Sequence, residues 1–396
     1  MFRRILAISL MATFVLSLVL NETALAASSA TSASAPAAVT SSERFEKSKS
    51  VFQGSWLLSL GAKRFQDEFN QKSTTDLMIG ANLSYQPLEL IQFRVLPTFR
   101  STNGYTQTVE ENSGSSGKLL LREASASATL KMFGSSMLGQ LSAGALNEQA
   151  ENGDLLFADD ISFPAAHLSL SSNPDSIFVG GVQGQTAVVT ASSLSTQTQN
   201  FEKTPTFQSA QVFLKLQKTI LEANLSGGVF QFENLPMSVA TKAGLLGNTV
   251  TSITAQDSVF KYAYRGSMAK GDAKLYFSRS ISSGVIARWV QNREAPTSLN
   301  QASSMEIYSE LDLSRSFQLR PFYDFFRIES DALVSSFNPG ALNSNRVGYL
   351  AGVQMSLQKL VRITLSGGER DVLLLSPTQS RERLWNIKLE TFDVAI

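Results

Sequence analysis

The chain has 396 residues, with 34 basic and 33 acidic side chains, one histidine and no cysteine. Charge this evenly balanced gives no reason to expect nucleic acid as a partner, and the scarcity of cysteine and histidine counts against zinc sites, thiol catalysis and disulfide scaffolds together. Mean hydropathy is -0.01, and beyond the N-terminus no stretch reaches the roughly eighteen uninterrupted apolar residues of a membrane-crossing helix, so a membrane-embedded form must be a closed barrel that pairs its own backbone groups.

At the N-terminus, Arg3 and Arg4 precede an apolar run from Ile5 to Leu20, and Ala24, Leu25 and Ala26 supply a small-residue cleavage site. This is the layout of a secretory signal peptide over residues 1–26, cleaved before Ala27. An uncleaved anchor helix competes with it, but the run is short for a span and contains Ser9, Thr13 and Ser17. Position 27 is not cysteine, so a lipoprotein anchor has no site there. Removing Arg3, Arg4 and Glu22 with the signal leaves 32 residues of each charge. Residues 27–50 are mostly Ala, Ser and Thr, a composition that buries too little apolar surface to offset ordering, and are expected to form a flexible lead-in to one β-structure over 51–396.

From there apolar residues recur at every second position. Trp56, Leu58, Leu60 and Ala62 oppose Ser55, Ser59, Gly61 and Lys63, and after a polar loop over 66–74 Leu77, Ile79, Ala81, Leu83 and Tyr85 oppose Asp76, Gly80, Asn82, Ser84 and Gln86. A two-residue period is that of a strand with two unlike faces. A turn at Pro87 leads to Ile91, Phe93, Val95, Pro97 and Phe99 opposite Arg94, Thr98 and Arg100, followed by a long loop over 101–117. The same sequence of long loop, strand, short turn and strand then repeats. Strand four carries Ala124, Ala126, Ala128, Leu130 and Met132; strand five follows a turn at 134–136; a long loop covers 147–160; strands six and seven flank a turn at 173–175; strand eight carries Ala210, Val212, Leu214 and Leu216; strand nine carries Leu221, Ala223, Leu225 and Val229.

The longest loop, 233–256, precedes the one ambiguous element. Phe260, Tyr262 and Tyr264 fall on even positions and Ala273, Leu275 and Phe277 on odd ones. A bulge near 266–271 in one long strand explains the slip, and two shorter strands also explain it. With the bulge, Val285, Ala287 and Trp289 form strand eleven and residues 304–328 form a hairpin of strands twelve and thirteen. Met305, Ile307, Leu311 and Leu313 there oppose Glu306, Tyr308, Glu310 and Asp312, and Phe317, Leu319, Pro321, Tyr323 and Phe325 oppose Gln318, Arg320, Phe322, Asp324 and Phe326. Strands this long exceed the five or six residues usual in a soluble sandwich. Strands fourteen and fifteen begin near Val347 and Val361, and the last runs over 384–396. The count is sixteen, with both termini on the short-turn side, as a single-chain outer-membrane barrel requires.

Over essentially the whole mature sequence the chain resembles the outer-membrane porins of Gram-negative bacteria, through its signal peptide, alternating strands, alternating short turns and long loops, and C-terminal closing strand. In that family the last strand usually ends in an aromatic residue that the barrel-assembly machinery reads; here Phe392, Val394 and Ile396 keep the spacing, with isoleucine last. The resemblance implies an all-β transmembrane antiparallel barrel of about sixteen strands, roughly fourteen to eighteen allowing for boundary error, embedded in outer-membrane lipid. It also implies a homotrimer, no cofactor, and a flexible periplasmic segment over 27–50. In sixteen-stranded porins the third long loop folds into the barrel and its carboxylates face basic wall residues. The corresponding loop here holds Glu148, Glu151, Asp154, Asp159 and Asp160. The family's Pro-Glu-Phe-Gly-Gly run is absent and only Asn152-Gly153-Asp154 is reminiscent of it; a loop that is acidic because it is solvated explains the same residues.

If the apolar rows face lipid, the opposite rows line a lumen, with Arg94, Lys215, Lys261, Arg265, Arg288, Arg320 and Arg362 beside Glu306, Glu310, Asp312 and Asp324. Opposed charges in a pore order permeating solutes and tune ion selectivity, although any water-filled barrel needs a polar lining. Trp56, Tyr85, Phe99, Tyr264, Trp289, Tyr323 and Trp385 are candidates for the interfacial aromatic girdles. Lipase-type catalysis needs a histidine beside a serine, and His167, with Ser169 on the same face, lacks any orienting motif, so no enzyme is expected and His167 is expected to be a wetted lumenal side chain. The expected function is a porin for passive diffusion of small hydrophilic solutes and ions. A plugged barrel acting structurally or adhesively through long loops such as 233–256 is the alternative, and a third reading is a dedicated channel for one substrate class, the lumenal Arg and Lys suiting anionic solutes and the lumenal acids opposing them.

Overall fold

A strand whose two faces meet different media keeps strict alternation over its whole length, and that alternation sets the fold here. The computed structural model describes residues 51–67, 71–105, 116–132, 136–158, 160–173, 176–189, 203–251, 258–338, 342–358, 360–376, 378–391 and 394–395. The signal peptide over 1–26, the lead-in over 27–50, Asp159, Phe392 and Ile396 lie outside them. Sixteen antiparallel strands follow in order: β1 Val51–Gln66, β2 Gln71–Leu88, β3 Ile91–Tyr105, β4 Ser116–Met132, β5 Met137–Asn147, β6 Ser162–Ser172, β7 Phe178–Val188 and β8 Thr206–Lys218. The second half comprises β9 Leu221–Glu233, β10 Tyr264–Tyr276, β11 Ile281–Asn292, β12 Gln301–Ser314, β13 Phe317–Ile328, β14 Arg346–Leu357, β15 Val361–Val372 and β16 Glu382–Thr391. Each pairs with its sequence neighbours, and β1 pairs with β16 from Ser59↔Glu390 to Gln66↔Arg383, with Val394–Ala395 extending the seam to Ser55 and Trp56. The sheet therefore closes on itself with no free edge, which is the arrangement that satisfies backbone groups in lipid.

The outer face is apolar and exposed, while the inner face is polar over the middle of the barrel and apolar beneath the long loops. On β8, Val212 is 60% and Leu214 45% exposed, whereas the preceding Gln211 is 9% exposed. Several strands begin or end beyond the sequence expectation: β2 begins at Gln71 inside the expected 66–74 loop, and β3 runs to Tyr105. Between Leu96 and Pro97 the β3–β4 register shifts by one residue of β4. This bulge reverses the phase of Arg122, which shares even numbering with the outward Ala124 but directs Nη1 to within 3.7 Å of the inward Met78 Sδ.

The bulge expected in strand ten is absent. β10 pairs without a break from Tyr264↔Phe232 to Leu275↔Leu221 on one side and from Gly266↔Asn292 to Tyr276↔Ser282 on the other. Phe260 and Tyr262 lie in the preceding loop, where Phe260 makes an isolated bridge to Val250. Tyr264 is an inward residue, 1% exposed, and so is not part of an aromatic girdle. The period slip arises because apolar side chains here face an apolar interior on the long-loop side of the barrel.

That interior is supplied by three inserted loops. Leu155, Leu156 and Phe157 after β5, Val239 and Ala243 of a helix between β9 and β10, and Ala332, Leu333, Val334 and Phe337 after β13 form one core with the wall residues Phe163, Phe207, Phe230, Phe232, Tyr264, Phe326 and Ile328. Phe157 meets Phe163 and Phe207 edge-on at 5.8 and 5.2 Å, and Phe337 stacks on Phe232 at 5.6 Å. Burial of each such large apolar side chain contributes about 1.5–3 kcal/mol, which offsets the roughly 1–2 kcal/mol per residue cost of fixing loop backbone. A buried polar knot joins the second and third loops. Asn248 Nδ2 donates to the Ser330 and Leu333 carbonyls at 2.6 and 2.7 Å, and Asp331 accepts from the Thr249 amide at 2.9 Å and the Thr249 hydroxyl at 2.6 Å. Phe326 thus packs beneath inserted loops. Phe322, nearer the short turns, lies across Gly352, where a Cβ would come within 2.8 Å of its ring.

Candidate functional site

The first inserted loop begins with a single turn of helix, α1, Glu148–Asn152. Asn147 starts it by accepting from the Ala150 amide at 3.0 Å, and Gly153, at φ 95°, ends it in a conformation that favours glycine. A row of inward amides and hydroxyls on β7 and β8 binds this turn to the wall. Gln185 Nε2 donates to Glu148 at 2.7 Å, Ser209 Oγ to Asn152 Oδ1 at 2.7 Å, and Gln183 and Gln211 both to the Glu151 carbonyl at 3.1 Å. These four residues were not among the sequence candidates, because neutral amides and hydroxyls on a strand's wet face look the same whether they meet water or a docked loop.

The loop's carboxylates meet wall cations. Asp154 is gripped by Arg288 through two contacts, Nε–Oδ1 at 2.8 Å and Nη2–Oδ2 at 2.7 Å, the forked geometry that makes arginine–carboxylate pairs strong. Asp160 pairs with Arg100 Nη1 at 2.9 Å, and Arg100 also binds Asp76 on β2 at 2.9 Å. Glu151 lies 3.2 Å from His167 Nε2. His167 is 7% exposed, so the expected wetted side chain is instead covered by the loop. Glu148 is fully buried and meets two amide donors, Gln185 and Asn152. Burial pushes its carboxyl from 4.5 up to about 8, against the Gln185 hydrogen bond that lowers it and with the Glu151 charge that raises it further. Glu151 is also raised, chiefly by burial, while His167 opposes that shift and Glu123 adds to it.

Around the rest of the wall, charges are shared between neighbouring strands. Glu306 on β12 binds Arg320 on β13 and lies 3.9 Å from Arg288. Glu310 binds Lys274 at 2.6 Å and approaches Arg320 at 3.7 Å, while the Arg320 guanidinium lies 4.0 Å from the Tyr308 ring centroid. Arg94 binds Glu123 at 3.2 Å and Asn82 at 3.1 Å. Asp312 accepts from Gln318 at 3.0 Å near the short turns, Asp324 is buried opposite Glu306 in register, and Arg362 is paired in register with Glu390. Lys215 is also inward, on β8. Two sequence candidates fall elsewhere. Lys261 stands in the loop before β10, its ammonium 5.5 Å from the Tyr262 ring, and Arg265 shares the outward phase of Leu275. Both were misplaced by the bulge expected in strand ten, which also hid the inward Lys270.

Between α1 and the wall of β7–β11 lies a cavity of about 420 Å³, lined among others by Asp154, Gln183, Phe213, Lys215, Lys270 and Arg288. Among the described residues no group of three or more His, Asp or Glu side chains is placed to hold a metal ion. No protein-family model matches the sequence, and no curated protein matches it. Solved structures do. Pseudomonas putida OprB superposes with a TM-score of 0.55 at 11% identity, over 86% of this chain and 94% of that one. OmpT, an outer membrane protein of Vibrio cholerae, gives 0.50 at 10% identity over 88% and 99%, and its loop L8 deletion mutant gives 0.50 at 11% over 86% and 99%. At such identities the likeness is one of fold: the chain has the closed sixteen-stranded architecture of outer-membrane porins and related barrels.

The Glu148 shift sets the pH response of loop docking. A carboxyl whose docked pKa is raised is most stable docked below 4.5, and its docking constant falls about tenfold per pH unit as pH rises to about 8, then levels off. Glu148→Gln removes this penalty. In amide hydrogen exchange at about pH 8, protection of residues 148–152 is expected to be at least about tenfold higher in the variant than in the wild type; equal protection contradicts the assignment.

Proposed function

We propose that this porin-like barrel is a porin of the Gram-negative outer membrane, a water-filled channel for passive diffusion of small hydrophilic solutes and ions, exported by a signal peptide cleaved near Ala26. The observation that carries the reading is the inserted loop whose Asp154 and Asp160 are held by the wall cations Arg288 and Arg100. Asp154 and Arg288 both line the cavity, so this pair borders open space and is not enclosed in packed side chains. Opposed charges beside the cavity supply the field that orders permeating ions. Arg94, Lys215, Arg288, Arg320 and Arg362, with Glu306, Glu310, Asp312 and Asp324, are the proposed pore-lining groups, and the C-terminal strand is the proposed handle for the barrel-assembly machinery.

The apolar core formed by three loops at one mouth favours a second reading, a plugged barrel with a structural or adhesive role. Planar-bilayer recording of the refolded mature chain separates the two. The porin reading predicts discrete conductance steps that scale with bulk salt; well-folded, heat-modifiable protein that never conducts supports the plug.

A homotrimer follows from the resemblance and has a candidate face. Ala124, Ala126 and Ala128 on β4 are in register with Ala145, Ala143 and Leu141 on β5, and Ala143 in turn with Ala166 on β6, all on the outer phase. Small residues let neighbouring elements approach closely in lipid, where packing drives association. Cross-linking in native membranes is expected to trap trimers in the wild type and monomers in Ala143→Trp. Monomers in both remove the trimer.

A further inference from the structure

Three cations line the cavity beneath α1, and their situations differ. Arg288 is committed to Asp154. Lys215 and Lys270 make no ion pair among the described residues; the Lys215 ammonium lies 5.5 Å from the Phe213 ring centroid. Strand register places them on either side of β9: Lys215 opposite Asn224, and Lys270 opposite Ser226. Asn224 and Ser226 both line the cavity, and neither side chain hydrogen-bonds within the described residues. Two ammoniums, an amide and a hydroxyl thus face the same space with their donors uncommitted. Among the acids there, Asp154 is held by Arg288 and Glu151 lies 3.2 Å from His167 Nε2, while Asp272, in register with Asn224, makes no ion pair among the described residues.

We infer that this stretch of wall is a binding site for small carboxylate anions, dicarboxylates above all. The inference rests on the porin reading and names the solute class that its lumen prefers. Neither ammonium has a carboxylate partner among the described residues, so a carboxylate entering between them gains Coulomb attraction from both. The ammoniums are compact point charges on flexible stems, which accommodate a carboxylate without the fixed fork of arginine. They stand diagonally across one strand, an arrangement for two carboxylates on a short carbon chain. Asn224 and Ser226 donate between them, and the Phe213 ring offers an apolar surface for the chain itself. Asp272 opposes binding and keeps it weak enough for release, as conduction needs.

The test uses the refolded mature chain with succinate as probe and inorganic phosphate as comparison. In planar bilayers, succinate is expected to reduce the chloride-carried current, and Lys215→Gln/Lys270→Gln to raise the half-blocking concentration at least about tenfold, with heat-modifiability retained as the check on folding. Asp272→Asn is expected to lower it. Block of the same strength in wild type and double variant, or no block in either, overturns the site while leaving the porin reading intact. Phosphate blocking more strongly than succinate overturns the carboxylate assignment. If the wild type does not conduct, the porin reading fails by itself, and titration calorimetry with succinate decides the site: heat that disappears in the double variant supports it, and no heat, or equal heat in both proteins, overturns it.

Discussion

Backbone polarity is the constraint on which everything else here depends. A strand in lipid leaves no amide or carbonyl to water, so every strand must be paired on both sides, and the pairing of β1 with β16 turns sixteen hairpin-connected strands into a ring. Once closed, the ring imposes alternation, because each strand has one face toward lipid and one toward the interior. The outward rows of Leu, Val, Ile and aromatic residues, and the inward Ser, Gln, Asn and charged residues, are the chemical record of that closure.

Closure creates a second problem, which is how to fill an interior too wide for side chains alone. Two kinds of interaction meet it at different heights. On the long-loop side Phe157, Phe337 and Leu333 pack against inward Phe207, Phe232 and Phe326 in a dry core. Next to it, α1 is fixed by hydrogen bonds and ion pairs, and farther along, Glu306, Glu310, Arg320 and Lys274 neutralise one another on the wall. The dry core holds the loops in place without requiring their charged residues to supply the anchoring energy. Asp154 and Arg288 are then left at the border between packed loop and cavity.

Most of the fold was legible in the sequence because a period of two survives in strands that face two media. It failed at β10, where Tyr264 and Met268 are apolar and inward, and where period alone cannot distinguish a lipid-facing row from a row beneath a docked loop. The candidate site was legible in part. Asp154 and Asp160 were visible as acids in the third long loop and Arg288 as an inward cation, but their pairing required the path of the loop. Gln183, Gln185, Ser209 and Gln211 carry no signature of docking, Arg122 was hidden by a bulge, and Lys270 by a misassigned phase. Apart from Arg122, whose phase a backbone register shift reversed, each miss has the same origin: a three-dimensional contact changed the environment of a residue without changing the local pattern of sequence.

The central claim is an aqueous inner wall, with the loop core dry above it. The chain contains no cysteine, so single cysteines introduced at Val212, Phe213, Leu214, Lys215 and Phe157 report their surroundings without background. In lipid vesicles, a membrane-impermeant charged thiol reagent is expected to label positions 213 and 215, spare 212 and 214, and reach 157 only after denaturation. Labelling at 212 and 214, or protection of 213 and 215 equal to that of 157, contradicts the account.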